Sequence, residues 1–112
     1  MENPKFQLFK SPSNSQYYFR LLARNGEIIL KASEGYTSKQ NCVNAIASVK
    51  ANAPYDQRYE RRDSSGNYTF NLKAANGLIL GNSENYTTSH GRENGIEAVK
   101  RDAPGAPTED LA

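Results

Sequence analysis

The chain states nearly the same pattern twice, from about residue 5 to 54 and again from about 58 to 104. The shared words are Ala-x-Asn-Gly (23–26 and 74–77), Ser-Glu-x-Tyr-Thr (33–37 and 83–87), Ala/Gly-Ile-x-x-Val-Lys (45–50 and 95–100) and a closing Ala-Pro (53–54 and 103–104). This duplication constrains the fold more than any single motif. A unit of about 50 residues is small for an independent core, so the copies are expected to complete one core together. The repeat is also an internal control. A position with the same character in both copies is read as architectural, and a position that differs is free of that constraint.

The second copy shows its strands most clearly. Tyr68-Thr69-Phe70-Asn71-Leu72-Lys73-Ala74 alternates apolar with polar, the pattern of a half-buried antiparallel strand. Asn76-Gly77 tolerates the positive φ of a tight hairpin, and Leu78-Ile79-Leu80 returns as the next strand. The first copy has matching strands at 17–23 and 28–31, and an earlier strand precedes each pair, at 6–10 and 59–63. Each unit closes with a helix. Ser38 caps the first, with Cys42, Ile46 and Val49 on one face. The second starts near Thr88 or Ser89 and buries Gly95, Ile96 and Val99. Gly91 and Gly95 share a helix face. They mark either a tolerated weak helix or the close approach of another element.

The expected fold is therefore α+β: two tandem β-β-β-α repeats forming one pseudo-twofold domain, an antiparallel sheet with two helices packed on one face. The domain spans 1–104, and residues 105–112 read as a flexible C-terminal tail.

These combined motifs resemble the YegP-like family of small, mostly bacterial proteins, over nearly the whole chain up to Pro104. The resemblance implies β-β-β-α repeats assembled as a pseudo-dimer, with single-copy relatives expected to dimerise; the two-copy chain itself is expected to be a monomer. It implies no activity and offers no catalytic residues to transfer. Helix 1 departs from helix 2 in carrying Asn41 and Ala45 where the latter has Gly91 and Gly95.

Bulk properties narrow the function classes. The balance of 37% hydrophobic and 23% charged residues is that of a folded domain, not a disordered chain. No apolar run is long enough to span a bilayer, and Met-Glu-Asn-Pro-Lys has no signal-peptide core, so a cytoplasmic location without membrane contact is expected. One cysteine excludes an internal disulfide and a multi-cysteine metal cluster. Net charge is +2, or +4 with the tail residues Glu109 and Asp110 set aside, a mild bias compatible with an anionic partner.

The residues offer little to catalysis. Cys42 reads as a small core residue, and His90, the single histidine, as a solvated residue near a helix start. Glu34 and Glu84 form a duplicated acidic pair suited to acid–base work or a divalent ion, but Ser-Glu-x-Tyr-Thr equally describes a corner from strand into helix. Tyr36 and Tyr86 read as anchors of that corner. No enzyme activity, cofactor or metal is expected.

Function is sought where the copies disagree. The phase of the second repeat places Tyr17, Phe19, Leu21 and Ala23 inward, leaving Tyr18, Arg20 and Leu22 outside where the second copy has Thr69, Asn71 and Lys73. If Phe6 matches Tyr59, Phe9 matches Arg62. Phe9, Tyr18, Arg20 and Leu22 are thus expected as an exposed apolar and cationic patch, the mark of a protein-interaction module. The alternative is a nucleic-acid binder using Arg20, Arg24, Arg61 and Arg62 on the outer sheet face. The stretch 55–62, mixing arginine with tyrosine, reads mainly as a linker because acids interrupt it.

Overall fold

Each repeat builds its half of the sheet from the alternation just described. The computed structural model describes residues 3–112; Met1 and Glu2, counted into the domain on sequence grounds, lie outside the described residues. The first repeat supplies β1 (Lys5–Lys10), β2 (Tyr17–Leu22), β3 (Ile28–Ala32) and α1 (Lys39–Asn52). The second supplies β4 (Tyr59–Ser64), β5 (Asn67–Lys73), β6 (Ile79–Asn82) and α2 (Ser89–Asp102), and a last strand, β7 (Thr108–Asp110), follows. Gly26 and Gly77 carry φ values of 84° and 88° in the β2–β3 and β5–β6 turns, a region that glycine enters without steric cost.

The seven strands form one sheet in the order β4-β5-β6-β3-β2-β1-β7. The two halves meet edge to edge at β3 and β6, antiparallel, with Lys31 opposite Asn82 and Ala32 opposite Gly81. Both inner hairpins carry a register shift at the same place, after Leu21 and after Leu72. Leu30 and Gly81 therefore occupy equivalent positions, opposite Leu21 and Leu72. A methyl group on Gly81 would lie 2.8 Å from Leu30 Cγ and 3.0 Å from the Lys31 carbonyl oxygen. Leu30 thus occupies the room that its glycine counterpart leaves.

Both helices start at the expected caps. Asn41 N–H donates to Ser38 Oγ at 3.1 Å, and Gly91 N–H to Thr88 Oγ1 at 3.0 Å. Such caps satisfy backbone donors that the first turn leaves unpaired. α1 rests on β1 and β2 but also on β5 and β6, and α2 on β5 and β3. Each helix thereby spans the junction between repeats. Phe6, Leu8, Phe19, Leu21 and Leu30 from one half join Phe70, Leu72, Ile96 and Val99 from the other in a single buried cluster.

The expectation of a flexible tail after residue 104 fails at β7, which also adds one parallel pairing to the expected antiparallel sheet. This strand lies parallel to β1, with Phe6 opposite Thr108 and Leu8 opposite Asp110. Phe6 N–H donates to the Pro107 carbonyl and Leu111 N–H to the Leu8 carbonyl, each at 2.8 Å. Ala106 is buried, and the tail's acids find cations: Glu109 meets Lys5 at 3.3 Å and Asp110 meets Lys39 at 2.8 Å. The physical cause is the outer edge of β1, whose backbone groups gain partners from the returning chain.

Candidate functional site

Across β1 and β2, Phe9 pairs with Tyr18, Gln7 with Arg20 and Lys5 with Leu22. Phe9, Tyr18, Arg20 and Leu22 share this face but are half-buried rather than an open patch, and the first three pack on one another. The Phe9 and Tyr18 rings stack at 6.0 Å, and the Arg20 guanidinium lies 4.7 Å from the Phe9 centroid. Arg20 Nε donates to Gln7 Oε1 at 2.7 Å, and Asn14 Nδ2 donates to the Tyr18 hydroxyl at 2.9 Å. The same face of the second repeat is a polar ladder. Asn82 donates to Asn71 at 2.8 Å, Asn71 to Glu60 at 3.0 Å and Lys73 to Glu60 at 2.9 Å. The Lys73 and Asn71 hydrogen bonds pull the Glu60 carboxyl down to about 2.

The four arginines of the nucleic-acid reading do not form a stripe. Arg61 is opposite Phe70 and so lies on the helix side of the sheet, not the outer side expected for it. There it bonds Glu93 of α2 and Asp56, both at 2.9 Å. Arg24 sits at the β2–β3 turn and reaches the buried Asp102 at 3.3 Å. Arg62 pairs with Glu60 at 3.2 Å. Stretch 55–62 is a 3-10 turn leading into β4, anchored by the buried Tyr59, whose hydroxyl donates to the Ala53 carbonyl at 2.7 Å.

Cys42 is fully buried in the core, and burial pushes its thiol up to about 11. His90 is exposed on α2. Among the described residues no group of three His, Cys, Asp or Glu side chains could hold a metal ion. The Ser-Glu-x-Tyr-Thr corners are held by backbone. Tyr36 exchanges hydrogen bonds with Tyr17 at 2.7 and 2.8 Å, and Tyr86 with Tyr68 at 2.8 and 2.9 Å. Turn architecture therefore accounts for the repetition.

A concave site that the sequence reading missed lies at the junction of the repeats. It is an open groove of about 820 Å3 between α1, the first corner and the β5–β6 hairpin. Leu78, Ile79 and Leu80 form one wall, Tyr36 and Ala45 the other, and Glu34, Asn41 and Asn44 bring polar groups to it. Leu78 is 66% and Ile79 39% exposed, an unusual amount of aliphatic surface in a concavity. Two signals in the sequence point here. Leu78 stands where the first copy has Glu27, and the first copy carries one more residue, at Ala32, before its Ser-Glu word. That extra residue extends β3 along β6, so that Ser33 Oγ donates to the Ile79 carbonyl at 2.8 Å and holds this wall against the corner. The opposite corner is filled differently. A methyl group on Gly95 would lie 2.7 Å from Tyr86 Cζ, so the Tyr86 ring occupies that space. Of the two readings of this glycine, close approach is the one observed. Ala45 stands at the equivalent place beside Tyr36.

Fold and groove together define a class: small α+β proteins built as an internal pseudo-dimer, with a cleft where one repeat meets the other. The family model described as domain of unknown function DUF1508 matches residues 13–60 and again 63–110. The second match ends at Asp110 and so includes β7. The chain is 54% identical to UPF0339 protein YegP of Escherichia coli O157:H7 over 72 residues, 63% of this chain and 64% of that one, so the match spans just under two thirds of that relative. It is 52% identical to a UPF0339 protein of Bordetella pertussis over 99 residues, 88% of each chain. The solution NMR structure of a UPF0339 protein from Shewanella oneidensis superposes with a TM-score of 0.89 at 40% identity, covering 97% of this chain and 92% of that one. The chain belongs to the UPF0339/YegP family, with the DUF1508 domain in two tandem copies. No helix among the described residues is long and apolar enough to cross a membrane.

Proposed function

We propose that this protein is a non-enzymatic, cytoplasmic binding module that acts as a monomer and receives a segment of a partner protein in the groove between α1 and the β5–β6 hairpin. The observation that carries the reading is Leu78, 66% exposed on the wall of a concave site where the other repeat places the charged Glu27. Exposed aliphatic surface beside amides and a carboxylate is the composition of a recognition site: the apolar wall supplies affinity and the polar rim supplies register. The buried Cys42 thiol and the exposed, solitary His90 argue against nucleophilic chemistry. The dispersed and paired Arg24, Arg61 and Arg62 argue against a nucleic-acid track. A second contact surface is the Phe9–Tyr18 stack under Arg20, which lies on the sheet face opposite the helices.

The test is capture from native lysate, then reconstitution with the purified captured protein. Leu78→Glu, which copies the other repeat, should abolish binding at low and high salt while the fold persists by circular dichroism. Loss with Tyr18→Ser/Leu22→Ser instead would move the site to the outer face. Capture of nucleic acid that fades steeply with salt would replace the reading altogether.

A further inference from the structure

We propose that the groove takes a lysine or arginine side chain of the partner, its aliphatic stem along Leu78 and Ile79 and its charge at Glu34. This rests on the groove being the binding site. The observation behind it is a broken symmetry. At the second corner, Glu84 forms an ion pair across the repeat junction with Lys31 at 3.7 Å. Lys31 lies opposite Arg20 in its hairpin and Asn82 lies opposite Asn71 in the other, so Asn82 is the counterpart of Lys31. Asn82 is neutral and gives its amide to Asn71. Glu34 is exposed on the groove and has no ion-pair partner among the described residues, whereas its duplicate has one within the chain.

The apolar half of the site breaks symmetry in the same direction. Leu78, which lines the groove, stands where the first repeat has the charged Glu27. One corner is thus closed by its own charges and by the Tyr86 ring. The other presents an aliphatic strip ending at a carboxylate. That is the shape of an amphipathic cation: methylenes lie on apolar surface while the charged head stays beside a carboxylate and water. Tyr36 lines the opposite wall and offers an aromatic ring to the same cation. An acidic side chain would meet the like charge of Glu34.

Amide NMR on the full chain, titrated with Nα-acetyl-leucyl-lysine amide and with its norleucine and glutamate analogues, separates the possibilities. The lysine peptide should shift the amides of Glu34, Tyr36, Asn44, Leu78 and Ile79. In low salt it should bind about threefold or more tightly than the norleucine peptide, the size of a single exposed ion pair. Glu34→Gln should bring the two peptides level, and Glu84→Gln should leave the preference intact. Equal binding of lysine and norleucine peptides to the wild type would overturn the cationic preference and leave the groove standing. Absence of any shift at these amides with all three peptides would overturn both.

Discussion

Cys42 and Arg92 hold the same helical position in the two repeats, and their neighbours give them opposite roles. Cys42 packs with Ile46 and Val49 in the core. Arg92 keeps its stem inside and reaches outward to Asp63, to Glu93 at 3.0 Å and over the Tyr68 ring at 5.6 Å. The core role of Cys42 follows from its helical spacing with Ile46 and Val49, because that spacing is local. Nothing local shows that Arg92 is buried, since Asp63 and Tyr68 reach it from β4 and β5. With the Cys42 thiol pushed up to about 11 by burial, almost no thiolate exists near neutral pH. In the native protein at pH 8 it should react with Ellman's reagent only as fast as the chain opens. Denaturant should release one equivalent at once. Rapid native labelling would contradict the packing assigned to this helix face.

At the scale of elements, β1 to β6 and both helices are legible within a residue or two. Alternation, Asn-Gly turns and Ser/Thr caps act over a few neighbouring residues. β7 is the exception, and the reason is distance along the chain. Its partner is about a hundred residues away, opposite Phe6, and its own sequence is short and polar. It is stabilised by hydrogen bonds to β1 and by exposed ion pairs, each of the latter worth little. Ending the chain at Pro107 should lower stability by about 1–3 kcal/mol, as a few net backbone hydrogen bonds allow. It should also bare the edge of β1 and promote self-association. Urea denaturation and light scattering of the truncated chain would show both effects. An unchanged midpoint would mean that β7 contributes nothing to the fold.

For the molecule as a whole, the junction is heterotypic: Leu30 faces the space left by Gly81. Gly81→Leu should destabilise by about 1–3 kcal/mol through overpacking. Leu30→Gly should cost about 3–5 kcal/mol through the cavity and the added backbone freedom. Because the positions are related by the pseudo-twofold, the double exchange should recover part of the loss, with a coupling of about 1 kcal/mol or more in a double-mutant cycle. Simple additivity would show that the copies do not interlock there. Charge links the second repeat to pH as well. Hydrogen bonds from Arg61 and Lys100 lower Asp56 to about 2, and those from Lys73 and Asn71 do the same for Glu60. Folded values below unfolded ones mean that this stability is complete above about pH 5 and disappears as pH falls through about 4 toward 2. The urea midpoint should therefore drop between pH 5 and pH 2.5, and Asp56→Asn should shrink the drop. A midpoint constant across that window would remove these pairs from the account. Taken alone, the amino-acid sequence determined the duplication, the strand phases, the caps and the single shared core, since each is written in periodicity and neighbouring residues. Only the tertiary structure decided how the copies meet. The extra Ala32, the exposed Leu78 and the exposed Glu34 become a groove because chain segments about 45 residues apart are brought side by side, and no local pattern encodes that juxtaposition.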